Sequence, residues 1–280
     1  MRIGIESASN RDLDYYKKLK SYGFDCLDYN MANTESLPYT LGEKEFCDYL
    51  RKEKSLADAA GIEIWQAHGP WRWPQDATEE DRAERLEKMS RSIRGAAILG
   101  AKYWVVHPIM PFDTDDILKD KYAETHALNL EFFRKLLPVA REEGVTICLE
   151  NMPFLAYTHS APKEIVGLIR EIDDPHFKMC LDTGHANMNS DWHSPAQSIR
   201  EYADLIKVLH VHDNKGDRDA HLLPFYGTID WEDFSAALRE TNFDGVLSLE
   251  CLPKGELVGD IEEEYALFGK IAKAVRDGNK

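Results

Sequence analysis

Short runs of hydrophobic residues recur along the chain, about one every thirty to forty residues, with polar and charged positions between them. Each run has the length of a β-strand and lacks the polar–apolar alternation of a half-exposed strand. This pattern is typical of parallel strands that are covered on both faces. We therefore predict eight strands, at residues 3–5, 24–29, 62–67, 103–106, 146–149, 178–181, 206–211 and 246–249.

Segments with hydrophobic residues at helical spacing fill the intervals between these runs. They predict eight helices, at residues 12–22, 43–60, 78–99, 122–143, 161–172, 195–205, 231–241 and 261–275. Thr78 precedes three acidic residues, as is typical of a helix N-terminus. Glycines that suit a helix C-cap stand before the next strand at Gly23, Gly61, Gly100, Gly144 and Gly245.

Strands that alternate regularly with helices predict an α/β protein, a single (β/α)8 TIM barrel that spans residues 1–280. An open doubly wound sheet is the alternative. No Gly-x-Gly-x-x-Gly fingerprint follows the first strand, and eight regular units favour closure of the sheet. The longest irregular segment, residues 213–230, falls in the loop after the seventh strand.

Polar residues follow six consecutive predicted strands, from the third to the eighth. In a βα barrel the carboxyl ends of the strands line the active site, so these side chains are expected to converge. In chain order they are His68, His107, Glu150 with Asn151, Asp182 with His185, His210 with His212 and Asp213, then Asp219 with His221 in the following loop, and Glu250.

Such a gathering of carboxylates and imidazoles predicts a site for one divalent metal ion. Taken singly, His68 could be a core histidine, Glu150 could pair with an arginine, and Asp182 could cap a turn. Together, so many buried titratable groups would be costly without a cation. Ligands without thiolate suit Mn²⁺, Zn²⁺, Co²⁺, Fe²⁺ or Mg²⁺. His210 and His212 compete for one ligand position, and we favour His210. The other histidines, at His126, His159, His176 and His193, are expected on the surface.

Composition narrows the classes of partner. The chain has 280 residues, 34 Lys and Arg against 50 Asp and Glu, and a formal charge of −16, which argues against nucleic-acid and anionic-membrane binding. No hydrophobic stretch is long enough to span a bilayer. The five cysteines include no Cys-x-x-Cys pair and are expected to be reduced and structural. With no apparent signal peptide at the start, a cytoplasmic location is expected.

These motifs resemble the xylose isomerase-like barrel superfamily, which includes sugar isomerases and epimerases, inosose dehydratases and endonuclease IV. The set Glu150, Asp182-Thr-Gly-His185, His210-x-x-Asp213 and Glu250 is similar to the single-metal site of the ketose 3-epimerases. The resemblance implies metal ligands at Glu150, Asp182, His210 and Glu250, and a substrate contact at His185. The segment that ends in Gly227-Thr-Ile-Asp-Trp231 resembles the family's closing loop, with Phe225 and Tyr226 where a glycine-rich turn is usual.

Endonuclease IV, which uses three zinc ions, is a rival resemblance. By order and spacing its nine ligands would fall on His68, His107, Glu150, Asp182, His185, His210, Asp219, His221 and Glu250. Many members of the isomerase branch retain these extra residues, so the match discriminates weakly. The net charge of −16 and the lack of an evident basic loop argue against a DNA substrate.

The leading hypothesis is therefore a metal-dependent sugar or polyol isomerase or epimerase that acts through an enediolate, with Glu150 and Glu250 as the acid–base pair. A dehydratase acting on a keto-sugar or inosose is an alternative, and a trinuclear zinc phosphodiesterase is one of another class. Aromatic residues in the loops after the strands suit the apolar faces of sugars. The predicted substrate contacts are Trp71, Trp73, Asn151, His185 and Arg218, and further aromatic candidates are Phe112, Phe154, Phe225 and Tyr226. By the family's habits the chain is expected to form a homo-oligomer.

Overall fold

Eight short strands, each parallel to its neighbours, form the wall of a barrel. The computed structural model describes residues 1–71, 78–110, 121–153, 159–188 and 194–279. The strands are β1 (Arg2–Ser7), β2 (Cys26–Asn30), β3 (Glu63–His68), β4 (Tyr103–Val106), β5 (Thr146–Glu150), β6 (Phe177–Asp182), β7 (Ile206–His210) and β8 (Val246–Leu249). All eight coincide with predicted strands to within two residues at either end.

The sheet closes almost completely on itself. Its hydrogen-bonded order runs from β7 down to β1 and then to β8. The remaining seam, between β7 and β8, is joined just beyond β7 by a parallel bridge between Val211 and Leu249. Two backbone hydrogen bonds flank this bridge, from Val211 N to Ser248 O (2.8 Å) and from Glu250 N to Val211 O (3.1 Å). The predicted TIM barrel is therefore confirmed.

Helices cover the outside of the barrel. They are α1 (Leu13–Tyr22), α2 (Leu37–Thr40), α3 (Glu43–Ala60), α4 (Glu79–Leu99), α5 (Tyr122–Glu143), α6 (Pro162–Ile172), α7 (Thr183–Met188), α8 (Pro195–Tyr202), α9 (Trp231–Glu240) and α10 (Ile261–Asp277). The two shortest, α2 and α7, were not predicted. Thr78 caps α4 as expected. Gly245 is not a cap: α9 ends at Glu240 with Thr241 as its C-cap, and Asn242 takes the left-handed conformation (φ 52°).

The barrel interior has an apolar lower half and a polar upper half. Buried side chains fill the lower half, at Cys26, Trp65, Val105, Cys148, Cys180, Val208 and Val246. Strand side chains alternate between the two faces of the sheet, so the residue two positions further along also points inward. On β5, β6 and β7 those residues are Glu150, Asp182 and His210. The fold thus places these polar groups directly above an apolar plug.

Membrane insertion finds no support in these helices: within the described ranges, none combines the length and the apolar character that crossing a bilayer requires.

Candidate metal centre

The four predicted metal ligands meet at the upper end of the barrel. Glu150, Asp182 and His210 are the last residues of β5, β6 and β7, and Glu250 directly follows β8. Each offers one ligand atom, and these four atoms lie within 4.8 Å of one another. The side chains of Glu150, Asp182 and His210 are buried, and that of Glu250 is 13% exposed. Four strands therefore bring the predicted donor set together.

His210 lies at the centre of this group. Its Nδ1 is 3.0 Å from Glu150 Oε1 and 3.3 Å from Glu250 Oε2. Glu150 Oε2 and Glu250 Oε2 are buried and make no hydrogen bond within the described chain. Orphaned carboxylate oxygens beside an imidazole nitrogen form a set of oxygen and nitrogen donors that fits a divalent cation.

Two further histidines, at the ends of β3 and β4, contact Glu150. His107 Nε2 lies 3.1 Å and His68 Nε2 lies 3.5 Å from Glu150 Oε2. Burial opposes the charge of Glu150, but His210 and His107 hold the pKa of its carboxyl well below the usual range. Burial also opposes charge on both histidines. It lowers the pKa of His107 to about 4, whereas the contact with Glu150 outweighs it at His68 and raises that pKa to about 9.

A second cluster adjoins the first on the β6–β7 side and contains His185, His212, Asp219 and His221. Asp219 Oδ2 lies 3.3 Å from His185 Nε2 and 3.2 Å from His221 Nε2. Despite its burial, contacts with acidic groups raise the pKa of His185 to about 9, and Asp219 raises that of His221 to about 10.

His212 is the histidine that was set aside in favour of His210; the structure places His210 among the four predicted donors and His212 in the second cluster. His212 Nε2 is 3.0 Å from Asp182 Oδ2, and its ring stacks on that of His221 with centroids 4.1 Å apart. The ring packs directly against Gly184, which has no side chain; a Cβ at that position would lie 2.0 Å from His212 Cε1. The His-x-His spacing was the available signal, since both residues share one strand parity.

Asp213 organises the loop that carries Asp219 and His221. Its buried carboxylate accepts hydrogen bonds from the backbone N–H groups of residues 227–229 and from the indole Nε1 of Trp231 (2.8 Å). A Cβ at Gly227 would lie 2.2 Å from Asp213 Oδ1. The Gly-x-Ile-Asp-Trp motif therefore serves to fix this loop to the start of α9.

A cavity of about 330 Å³ opens above the donor groups, and the described residues that line it include no lysine or arginine. Trp71 lines it and packs edge-on against His107, with ring centroids 4.4 Å apart. The lining residues are Asn30, Ala32, His68, Trp71, His107, Glu150, Met152, Pro153, His185, Asp219, His221 and Glu250.

Several predicted contacts lie elsewhere. The side-chain amide of Asn151 hydrogen-bonds to the backbone of Asp182. Its Nδ2 donates to Asp182 O (3.0 Å), and its Oδ1 accepts from Asp182 N (2.9 Å). Arg218 is exposed, and the aromatic side chains of Phe225 and Tyr226 are also exposed; none of the three lines the cavity. Trp73, Phe112 and Phe154 fall outside the described residues.

Two acidic residues that the sequence reasoning missed approach the centre from β1 and β2. Asp28 Oδ2 lies 2.8 Å from His210 Nε2. Glu6 accepts a hydrogen bond from Asn30, and burial together with nearby Glu250 raises the pKa of Glu6. A charged residue inside or directly after an apolar run was the signal for both.

One histidine expected on the surface is buried. His159 is fully inaccessible and stacks on Tyr122, whereas His126 and His176 are half-buried. The expectation for His159 was wrong because its cover comes from a distant helix. His193 lies outside the described residues.

Fold and site together define an enzyme-like barrel, and the chain belongs to the xylose isomerase-like TIM barrel family, whose sequence profile matches residues 16–269. It is 29% identical over 202 residues to the uncharacterized protein MJ1311 of Methanocaldococcus jannaschii, covering 70% of this chain and 66% of that protein. It is 28% identical over 251 residues to the D-psicose 3-epimerase of Enterocloster bolteae, covering 84% of this chain and 75% of the relative. The crystal structure of a D-tagatose 3-epimerase-like protein superposes with a TM-score of 0.77 at 24% identity, covering 99% of this chain and 97% of that one, which shows a shared fold.

Proposed function

We propose that this protein is a divalent-metal-dependent epimerase or isomerase of a small, uncharged sugar or polyol-derived carbonyl compound. The observation that carries the proposal is the convergence of Glu150, Asp182, His210 and Glu250 within 4.8 Å beneath a cavity of small-molecule size. The similarity to a D-psicose 3-epimerase supports the same reaction class. The described residues that line the cavity include no lysine or arginine, which favours an uncharged ligand over a phosphorylated one.

The four residues of the donor set would hold the metal ion. When bound, such an ion acts as a Lewis acid that polarises a carbonyl and makes the neighbouring C–H more acidic. Glu150 ends β5 and Glu250 follows β8, three strands further around the barrel, and their carboxylates lie 3.0 Å and 3.3 Å from His210 Nδ1. In the proposed reaction one carboxylate takes the proton from the carbon next to the carbonyl, and the other returns a proton from the opposite face.

Trp71 and the histidines complete the assignment. Trp71 is 44% exposed at the cavity rim and presents an apolar ring to a sugar face. His185 Nδ1 lies 2.7 Å from the carbonyl oxygen of Asn151, to which it donates in this assignment, so its Nε2 is directed towards Asp219 and the cavity. In that orientation His185 binds a substrate oxygen.

The test combines metal content with product analysis. Protein purified without chelator or a nickel column should carry about one divalent ion per chain by elemental mass spectrometry. Incubation with ketoses, inososes and oxidised sugars in D₂O should yield an isomeric product with deuterium at the reacting carbon. Loss of one water from the substrate would instead identify a dehydratase.

The variants Glu150→Gln and Glu250→Gln should abolish turnover and keep the fold, while Glu142→Gln, at an exposed position of α5, should be fully active. Near-normal activity of both active-site variants would contradict the mechanism.

Phosphodiester hydrolysis is a second candidate, because the second cluster with His68 and His107 gathers the further ligands that a trinuclear site requires. About three zinc ions per chain, with cleavage of abasic DNA, would favour it over the epimerase.

A further inference from the structure

His210 directs its two ring nitrogens to different partners. Nδ1 faces Glu150 and Glu250, as described above, and Nε2 lies 2.8 Å from Asp28 Oδ2. His210 is fully buried, and Asp28 is 1% exposed. The contact joins β7 to β2 across the barrel, so it is the product of the closed fold and not of sequence proximity.

Asp28 is held in place by the neighbouring strand. Gln66 Nε2 donates to the same oxygen, Asp28 Oδ2, at 2.8 Å. Asp28 and Gln66 are register partners, whereas the preceding pair joins Leu27 to Ile64, so β3 contains one extra residue at Trp65. This bulge turns Gln66 to the inner face, where it reaches the carboxylate.

Among the described residues, the Asp28 carboxylate has two hydrogen-bond partners, Gln66 Nε2 and His210 Nε2, and both meet it at the same oxygen. Its second oxygen, Oδ1, makes no hydrogen bond within the described chain. A carboxylate in this position is stabilised by one amide N–H and one imidazole N–H, and losing the latter would leave it poorly compensated. Asp28 therefore favours the His210 tautomer that carries hydrogen on Nε2.

We infer that Asp28 is a positioning residue of the proposed metal centre, which keeps hydrogen on His210 Nε2 and thereby presents the Nδ1 lone pair to the ion. This inference rests on the proposed function. A carboxylate on the remote nitrogen fixes the orientation of a histidine ligand and strengthens it as a donor, and removing such a partner typically weakens metal affinity 10- to 100-fold.

The test is the affinity of chelator-treated protein for Mn²⁺, measured from the electron paramagnetic resonance signal of the free ion. Asp28→Asn keeps the shape and removes the charge, and should weaken binding about 10- to 100-fold. The matched control is Glu53→Gln, since Glu53 is also a buried carboxylate, held by the hydroxyls of Tyr16 and Tyr29 (3.2 and 3.1 Å). The control should bind Mn²⁺ as wild type does.

A double-mutant cycle separates a role through His210 from a general loss of charge. In a His210→Gln background, Asp28→Asn should produce no further loss of Mn²⁺ affinity. Equal affinity of wild type and Asp28→Asn would overturn the inference alone. Failure of the wild-type protein to bind Mn²⁺ would overturn the proposed function, and this inference with it.

A measurement on wild-type protein covers the case in which Asp28→Asn does not fold. Nitrogen-15 NMR of the zinc-loaded protein, with His210 assigned through His210→Gln, should show hydrogen on Nε2 and none on Nδ1. Hydrogen on Nδ1 would overturn the inference.

Discussion

His159 should link the stability of this barrel to pH. It lies in the loop between β5 and α6, where its Nε2 is 2.9 Å from His126 Nδ1, and His126 Nε2 is 2.7 Å from Glu171 Oε2. Neutral rings satisfy this chain, with His159 donating to His126 and His126 donating to Glu171. His159 Nδ1 is buried and makes no hydrogen bond within the described residues. A second proton on His159 would therefore be buried without a partner.

The size of the effect follows from the shifted pKa. Burial, with a smaller contribution from His126, lowers the pKa of His159 from 6.5 to about 4. As the pH falls below 6.5 the unfolded chain takes up a proton at this position and the native protein does not. The free energy of unfolding then falls by about 1.4 kcal/mol per pH unit until the native histidine is protonated near pH 4. The loss from this one group amounts to about 3 kcal/mol.

The assay is urea unfolding between pH 7.5 and 4 with chelator present, comparing wild type with His159→Asn. Asparagine tolerates the left-handed backbone at this position (φ 62°) and does not titrate. The variant should be less stable than wild type at pH 7. Between pH 7 and pH 4 the difference in unfolding free energy should change by about 3 kcal/mol in favour of the variant, because only the wild type loses stability through His159. His176→Asn, which removes a half-buried histidine elsewhere in the chain, is the control for the loss of a histidine as such. A difference between wild type and His159→Asn that stays constant over this range would refute the reasoning.

Three substitutions test the packing that supports the site. Gly184→Ala should displace the ring of His212 and cost about 1–3 kcal/mol in unfolding free energy, with weaker Mn²⁺ binding. Gly167→Ala, at a helical position with open space around it, should stabilise the protein by about 0.5–1 kcal/mol, as thermal unfolding will show. Asp213→Asn should cost about 1–3 kcal/mol, because an amide nitrogen cannot accept the hydrogen bonds that residues 227–229 and Trp231 donate to the carboxylate. Faster hydrogen exchange at residues 227–229 in that variant, absent in Gly167→Ala, would identify the loop as the affected region.

The sequence predicted the barrel and the gathering of polar side chains at its open end for one physical reason, whereas the choice of four donors among them came from the family resemblance. Parallel strands buried on both faces read as apolar runs, and a polar residue at the end of such a run reaches the open side of the barrel. Glu150 and Asp182 each end an apolar run, so their place at the end of a strand could be predicted from the sequence alone. The short helix α7 was missed because Thr183–Met188 spans only six residues directly after β6, although Asp182 caps it by accepting a hydrogen bond from His185 N (2.6 Å).

Local sequence patterns could not predict how deeply a side chain is buried or which side chains meet across the barrel. Strand parity puts His210 and His212 on one face but does not say which donor group each will meet. Asp28 contacts His210, which lies 182 positions further along the chain. The bulge at Trp65, which positions Gln66 against Asp28, has no evident sequence signal. His159 is buried by Tyr122 of another element, which no periodicity around residue 159 indicates.

The alternation that builds the site also supports the proposal that it holds a cation. On β5, β6 and β7 the inward positions carry Cys148, Cys180 and Val208, and two residues later they carry a glutamate, an aspartate and a histidine. The apolar plug excludes water from below, so the carboxylates above it must find their positive partners among the groups at the same level. Those partners are histidines, which reach the orphaned oxygens of Glu150 and Glu250 only in part. A divalent ion at the proposed site would compensate both carboxylates at once, and the histidines could then act as neutral ligands and hydrogen-bond donors.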